Sequence, residues 1–368
     1  SPFAAMKSRM PFLLQCPLLL VFTTGSLLGC TYPQTPPSPV IEPNAVGNTV
    51  NNRWDNTRTE KWADGFALVT IRSSADATEQ PAYFFKAAQG GAPKPLIVSL
   101  HTWSGDHAQS DPLAPIAKEA GWNYIHPGFR GPNSTPDACL SEKAIADIDD
   151  AIQYAIDNSN TDVDNVFVVG ASGGGYATLG SYLRTRHTVR AFIAWVPISD
   201  LSAWYHQLPN DNTGYARDIL TCTTSGDTLD DNAARSRSPL YWDLPEKPDG
   251  RLEIYAGIHD GHTGSVPISH SILFYNRMAI DSGHSNDTVP QEDIERLLTR
   301  SMPETQHHES LGNRKTYYRK ETANVSLVIF DGGHEMLETY CFERMQTLAH
   351  SSRFPIDDNR RATYRTHP

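Results

Sequence analysis

The chain has 368 residues, a formal net charge of −11 at pH 7 and 39% hydrophobic residues. That length holds one large α/β domain or two smaller ones, and strands that keep arriving in the order a single sheet needs favour one domain with insertions. No long basic run is present, which argues against nucleic acid as a partner, while acidity of this size leaves the substrate open.

Met6 is the expected initiator, with residues 1–5 ahead of it. Lys7 and Arg9 give a positive start, residues 11–24 are mostly apolar, and Leu27-Leu28-Gly29-Cys30 closes the stretch. Residues 6–29 therefore read as a signal peptide, too short to span a membrane as a helix. The ending resembles a bacterial lipoprotein signal. It implies an acylated Cys30 and a lipid anchor to an outer membrane, facing periplasm or cell surface, and the unusual Leu28 leaves plain secretion open. Residues 30–55, rich in Pro, Thr and Asn, read as a flexible tether, and residues 56–368 as the folded domain.

Residues 66–71 and 82–86 are expected as antiparallel strands, followed by strands at 95–100 and 122–126. The clearest helix spans 141–158. Ile145, Ile148, Ile152 and Ile156 recur at helical spacing, Asp147, Asp149, Asp150 and Asp157 are expected to face water, and Ser141 is the expected N-cap. It leads into a strand at 165–169, as a parallel crossover requires. Strands at 191–196, 251–257 and 325–330 follow. Residues 200–250, with Trp204, Tyr205, Tyr215, Tyr241 and Trp242, fall between two core strands and read as a cap insertion over the site. A second insertion, 281–324, carries a helix at 290–300 and a strand at 315–319.

Gly170-Ala171-Ser172-Gly173-Gly174 joins the 165–169 strand to a helical run that begins at Gly175. A serine on such a sharp turn is thrust out of the sheet, and glycines flank it because side chains there would clash. The pattern alone is weak, and the strand before and helix after give it weight. Two further groups follow in the order acid, then histidine, each just past a later strand: Asp260 in Ile258-His259-Asp260-Gly261-His262 and His334 in Asp331-Gly332-Gly333-His334-Glu335. A serine hydroxyl is a poor nucleophile until an imidazole takes its proton, and a carboxylate must hold that imidazole in the right tautomer. Asp331 is the alternative acid, and Asp260 could instead cap a helix near Ser265. Its place after the strand favours Asp260 as the acid. An oxyanion hole completes the set, from the N–H of Gly173 and that of Trp103 in His101-Thr102-Trp103-Ser104-Gly105.

These segments, together with Phe129-Arg130-Gly131-Pro132-Asn133 and Trp195-Val196-Pro197-Ile198-Ser199-Asp200-Leu201, make residues 60–350 resemble the α/β-hydrolase superfamily. Within it they resemble the prolyl-oligopeptidase-like and carbohydrate-esterase-like secreted bacterial serine hydrolases. The resemblance implies an α/β fold with a mostly parallel central sheet, helices on both faces, a cap insertion and no cofactor. The leading expectation is a carbohydrate esterase cleaving acetyl or methyl esters on a polysaccharide or oligosaccharide. A prolyl-oligopeptidase-like peptidase is the alternative, and a non-catalytic glycan-binding lipoprotein the third reading. The motives for an ester are the lipoprotein tether, the aromatic cap and no recognisable propeller domain. His101, Arg130, Trp204, Tyr205 and His262 are candidate substrate contacts, with a loop-tying role favoured for Arg130.

Of five cysteines, Cys16 leaves with the signal and Cys30 carries lipid. Cys139 and Cys222, in polar loop-like segments, are candidates to pair in an oxidising compartment, and Cys341 reads as a buried thiol. With no C-x-x-C spacing, no helical H-x-x-x-H, and His259 and His262 too few alone, His101, His259, His262 and His270 read as core or loop histidines and no metal is expected.

Overall fold

Apolar strands dominate the chain from Phe66 onward, and they assemble into one ten-stranded sheet in the computed structural model. The structure describes residues 62–210, 213–245, 250–303, 308–322 and 324–351. The expected signal peptide, Cys30 and the tether lie outside the described residues. The strands are β1 (Phe66–Arg72), β2 (Glu79–Phe85), β3 (Lys94–Leu100), β4 (Asn123–Pro127), β5 (Thr161–Ala171), β6 (Ala191–Trp195), β7 (Arg251–Gly257), β8 (His308–Leu311), β9 (Arg314–Glu321) and β10 (Val325–Phe330). Their order in the sheet is β1-β2-β4-β3-β5-β6-β7-β10-β9-β8. The six central strands from β4 to β10 run parallel, and β1, β2, β8 and β9 add antiparallel edges.

The helices are α1 (Leu113–Ala120), α2 (Glu142–Asn158), α3 (Gly173–Arg184), α4 (Leu201–Gln207), α5 (Thr213–Cys222), α6 (Asp231–Ser236), α7 (Ser269–Asp281), α8 (Gln291–Leu298) and α9 (Glu338–His350). Successive strand residues point to opposite faces, so each central strand feeds two cores. Val166 and Val168 of β5, Phe192 and Ala194 of β6 and Leu252 and Ile254 of β7 meet Ile148 and Ile152 of α2, Leu179 of α3 and Tyr275 of α7. Phe167 and Val169, Ile193 and Trp195, and Tyr255 meet Leu113 of α1 and Phe342 and Met345 of α9 on the other face. Burial on both faces explains why these strands read as unbroken apolar runs rather than alternating ones. Cys341 of α9 lies in the second core, where burial pushes its thiol up to about 12.

The N-cap of α2 is as expected, with the Ser141 hydroxyl accepting from Ala144 N at 3.1 Å. Two of its aspartates depart from expectation, because Asp147 and Asp149 are buried rather than water-facing. Each has partners distant in sequence. Asp149 accepts from the Thr185 hydroxyl and from Arg186 N and Nε, both at 3.1 Å. Asp147 accepts from Arg130 Nε at 2.5 Å, while the same guanidinium grips Asp76 at 2.8 and 2.9 Å and Ser73 Oγ at 2.9 Å.

Arg130 thus ties the β4 loop to α2 and to the turn between β1 and β2, with no free edge of its fork for a substrate. Arg130→Ala leaves the Asp147 carboxyl buried without its countercharge, so it should lower unfolding free energy by about 3–5 kcal/mol. Chemical denaturation reads that loss, and an Arg130→Met, Asp147→Leu double variant should recover much of it.

Candidate active site

The sheet order reverses at β3, which has β4 on one side and β5 on the other. In open α/β sheets such a reversal leaves a crevice at the carboxyl ends of the strands, and Ser172 is the residue that follows β5. Its backbone sits at φ 57°, ψ −117°, a region that costs a non-glycine residue about 1–3 kcal/mol. The turn is held from both sides: Ser172 N donates to Trp195 O at 2.9 Å and Ser172 O accepts from Tyr176 N at 2.8 Å. The flanking glycines are forced by contact. A Cβ at 170 would stand 2.4 Å from the Gly174 carbonyl, and one at 174 would stand 2.2 Å from Leu100 O. A Cβ at 173 would lie 2.2 Å from Trp103 N, so the structure sets the Gly173 and Trp103 main chains against each other.

Asp260 and His334 follow β7 and β10, neighbouring parallel strands whose ends lie on the same sheet edge as Ser172. His334 Nδ1 donates to Asp260 Oδ2 at 2.7 Å, with the carboxylate almost wholly buried and the imidazole 13% exposed. The other carboxylate oxygen accepts from Gly261 N at 2.9 Å and Val266 N at 3.1 Å. One side chain therefore does both jobs that the sequence left open, orienting the histidine and fixing the loop toward Ser265. Gly264 is required beside it, since a Cβ there would lie 2.3 Å from Asp260 Oδ1. His334 Nε2, on the other side of the ring from the carboxylate, lies 3.5 Å from Ser265 Oγ. Asp331, the alternative acid, instead faces His259 Nε2 at 3.3 Å, and both are partly exposed.

The remaining candidates are placed differently from one another. His101 is buried against Phe129, with ring centroids 4.0 Å apart, and lies behind the Trp103 loop. Its Nδ1 is 2.9 Å from Thr102 O and its Nε2 is 3.0 Å from Gly128 O. Trp204 is fully buried, donates from Nε1 to Ser265 O at 2.8 Å, and meets the Trp103 ring edge to face at 4.8 Å. Neither ring has a face to offer a ligand. Tyr205 is half-buried against the first core, and exposed His262 has its Nε2 3.1 Å from Leu298 O. Cys139 and Cys222 form a disulfide. Among the described residues no group of His, Cys, Asp and Glu is arranged to hold a metal ion.

The sequence reading gave no role to Asn133, Gly264 and Ser265, on loops at this edge, or to Asp218, on helix α5. It also missed Val196, a β-branched residue at φ 41° immediately after β6. Such a residue at positive φ is a genuine outlier, and the proline after it favours extended backbone instead, so nothing local signals it.

Buried imidazoles, His101 and His270 among them, should make the fold acid-sensitive. Burial lowers both His101 and His270 to about 4, below the ordinary value near 6.5. The unfolded chain then binds more protons than the native one, so stability is lost as pH falls from about 6.5 toward 4. The expected loss is roughly 3 kcal/mol per imidazole, readable from denaturation curves at stepped pH. A flat profile over that window would show that neither ring is held neutral.

The strand order, the strained serine turn and the Asp260–His334 pair define a serine hydrolase of the α/β-hydrolase fold. The profile of the prolyl oligopeptidase family, Peptidase_S9, matches residues 138–325, just over half the chain, and the chain belongs to that family. The match spans Ser172 and Asp260 and stops short of His334. A curated relative, dipeptidyl peptidase family member 6 of Caenorhabditis elegans, is 26% identical over 182 residues, covering 46% of this chain and 24% of the relative. An acylaminoacyl peptidase solved with Z-Gly-Gly-Phe-chloromethyl ketone shares 16% identity at a TM-score of 0.52, over 82% of this chain and 44% of that one. A puromycin-hydrolysing peptidase of Mycobacterium tuberculosis shares 16% identity at a TM-score of 0.51, over 77% of this chain and 38% of that one. The chain thus spans less than half the length of each of these relatives.

Proposed function

We propose that this protein is a serine peptidase of the prolyl oligopeptidase type, cleaving a short peptide or an acylated amino acid. The observation that carries the choice is the family match across the serine turn and the Asp260 loop, and the relatives named above are peptidases by name. The sugar-ester reading drew on an aromatic cap, and Trp204 gives it no support, while Tyr205, Tyr215, Tyr241 and Trp242 keep some exposure. Trp204 is packed inside the protein, and the Trp103 indole donates to Asp218 Oδ2 at 3.1 Å.

In this reading Ser172 Oγ attacks the scissile carbonyl while its proton passes to His334 Nε2. Asp260 holds Nδ1–H at 2.7 Å, keeping Nε2 as the acceptor and steadying the imidazolium. The N–H groups of Gly173 and Trp103 receive the negative oxygen, a contribution worth about 10²–10³ in kcat per donor. His334 then returns the proton to the leaving amine. Water, deprotonated by the same ring, releases the acyl group as a carboxylic acid and restores the serine. We also propose export: the signal-like residues 6–29 support it, and the Cys139–Cys222 disulfide suits an oxidising compartment. The lipid anchor at Cys30 is part of that proposal.

Aminoacyl-, dipeptidyl- and acyl-aminoacyl-coumarins test the reading against nitrophenyl acetate and acetylated or methyl-esterified glycans. Release of coumarin, lost in Ser172→Ala, is the expected result. Ester or glycan turnover without amide cleavage would return the sugar-ester reading, and no labelling by a fluorophosphonate would return the non-catalytic one.

A further inference from the structure

We infer that Asn133 and Asp218 are positioning residues that grip Trp103 from two sides and hold its main-chain N–H toward the reacting carbonyl. The inference rests on the oxyanion-hole reading above and adds the groups that make it rigid. Trp103 belongs to a loop after β3, outside helix and strand, and an oxyanion donor acts only if it is fixed before the charge develops. Its carbonyl accepts from Asn133 N at 2.9 Å and from Asn133 Nδ2 at 3.2 Å. Its indole Nε1 donates to Asp218 Oδ2 at 3.1 Å. The preceding peptide is held as well, since Thr102 O accepts from Gly105 N at 3.1 Å and Thr102 N donates to Gln109 Oε1 at 2.9 Å.

The two grips come from distant segments that are joined to each other. Asn133 is buried, and its Oδ1 accepts from Cys139 N at 3.0 Å. Cys139 is bonded to Cys222, the last residue of α5, and Asp218 sits one turn earlier on the same helix. A single covalent brace therefore links the loop that holds the Trp103 main chain to the inserted helix that holds its side chain. No role in touching substrate is needed for either residue, because each acts through Trp103.

The test compares Asp218→Ala, Asp218→Asn, Asn133→Ala and Trp103→Phe on the full chain, using whichever coumarin substrate the protein turns over. Asp218→Ala should lower kcat about tenfold or more with KM within about twofold, the signature of an interaction used in the transition state. Asp218→Asn should restore most of that loss, because its amide oxygen still accepts from the indole. Trp103→Phe should cost as much as Asp218→Ala, and the double variant no more than the worse single one, since both remove one bond. Asn133→Ala should also act on kcat. Affinity for a peptide boronate should fall in step with kcat while affinity for product holds.

A wild-type kcat in Asp218→Ala, a loss carried wholly by KM, or additive single losses would overturn the brace. If Trp103→Phe fails to fold, the Asp218→Ala and Asp218→Asn pair decides alone, since the ring stays in place. Ser172→Ala run alongside separates the two ideas. Full turnover in that variant sinks the site reading itself, whereas a dead Ser172→Ala beside an unaffected Asp218→Ala sinks only the brace.

Discussion

Ser172→Ala should lower kcat by about 10⁶ and abolish fluorophosphonate labelling, because a nucleophile and its base act as one unit. Asp260→Asn is the more searching variant, with an expected fall of about 10⁴. The carboxylate oxygen that meets His334 Nδ1 would become, in the flipped amide, an NH₂ that can only donate. The imidazole would then carry its proton on Nε2, where it can no longer accept from a serine. The fold should survive the change, since the remaining amide oxygen can still accept from Gly261 N and Val266 N, now at 2.9 and 3.1 Å. Near-wild-type melting with kcat lost and KM retained is the expected pattern. Melting lowered in proportion to the lost activity would mean that Asp260 is there for its loop and not for the histidine.

The parts of this fold that were legible in sequence are those whose cause is local. The strands expected at 95–100, 251–257 and 325–330 appear within a residue of their ends, because burial on both faces leaves an uninterrupted apolar run. The strand expected at 165–169 extends from Thr161 to Ala171, and its missed start is polar, with Lys94 paired to Thr161 at the sheet's margin. Helix α1 escaped notice: it is short and carries Pro115 in its first turn, where proline is tolerated. Asp147 and Asp149 were misread because a helical pattern sorts residues by polarity alone. Their partners, Arg130 and Arg186, come from other segments that the pattern cannot see.

The candidate site divides in the same way. Ser172 announces itself by flanking glycines, and Asp260 and His334 by following strands in the order of a known chemistry. Asn133 and Asp218 carry no local signal: they reach Trp103 from 30 and 115 residues away. The aromatic residues misled for a related reason. A tryptophan in an insertion reads alike whether its face meets solvent or, as for Trp204, another tryptophan.

Gly173→Ala should cost about 10²–10³ in kcat, the worth of one oxyanion donor, and should do so with KM little changed. The added methyl would stand 2.2 Å from Trp103 N, 2.4 Å from its Cα and 2.8 Å from the Thr102 carbonyl carbon. These are backbone atoms, so no rotamer change relieves the clash; the loop after β3 must retreat, and it takes the second donor with it. Gly174→Ala is the informative contrast. Its methyl would strike Leu100 O at 2.2 Å, inside β3, so helix α3 is driven off the sheet and the loss should fall mainly on stability. Gly91→Ala, with nothing within 4 Å, should leave both activity and melting unaltered. If Gly173→Ala kept wild-type kcat with the protein folded, the Trp103 peptide could not be an oxyanion donor. The glycine after the serine would then be explained by the tight turn alone.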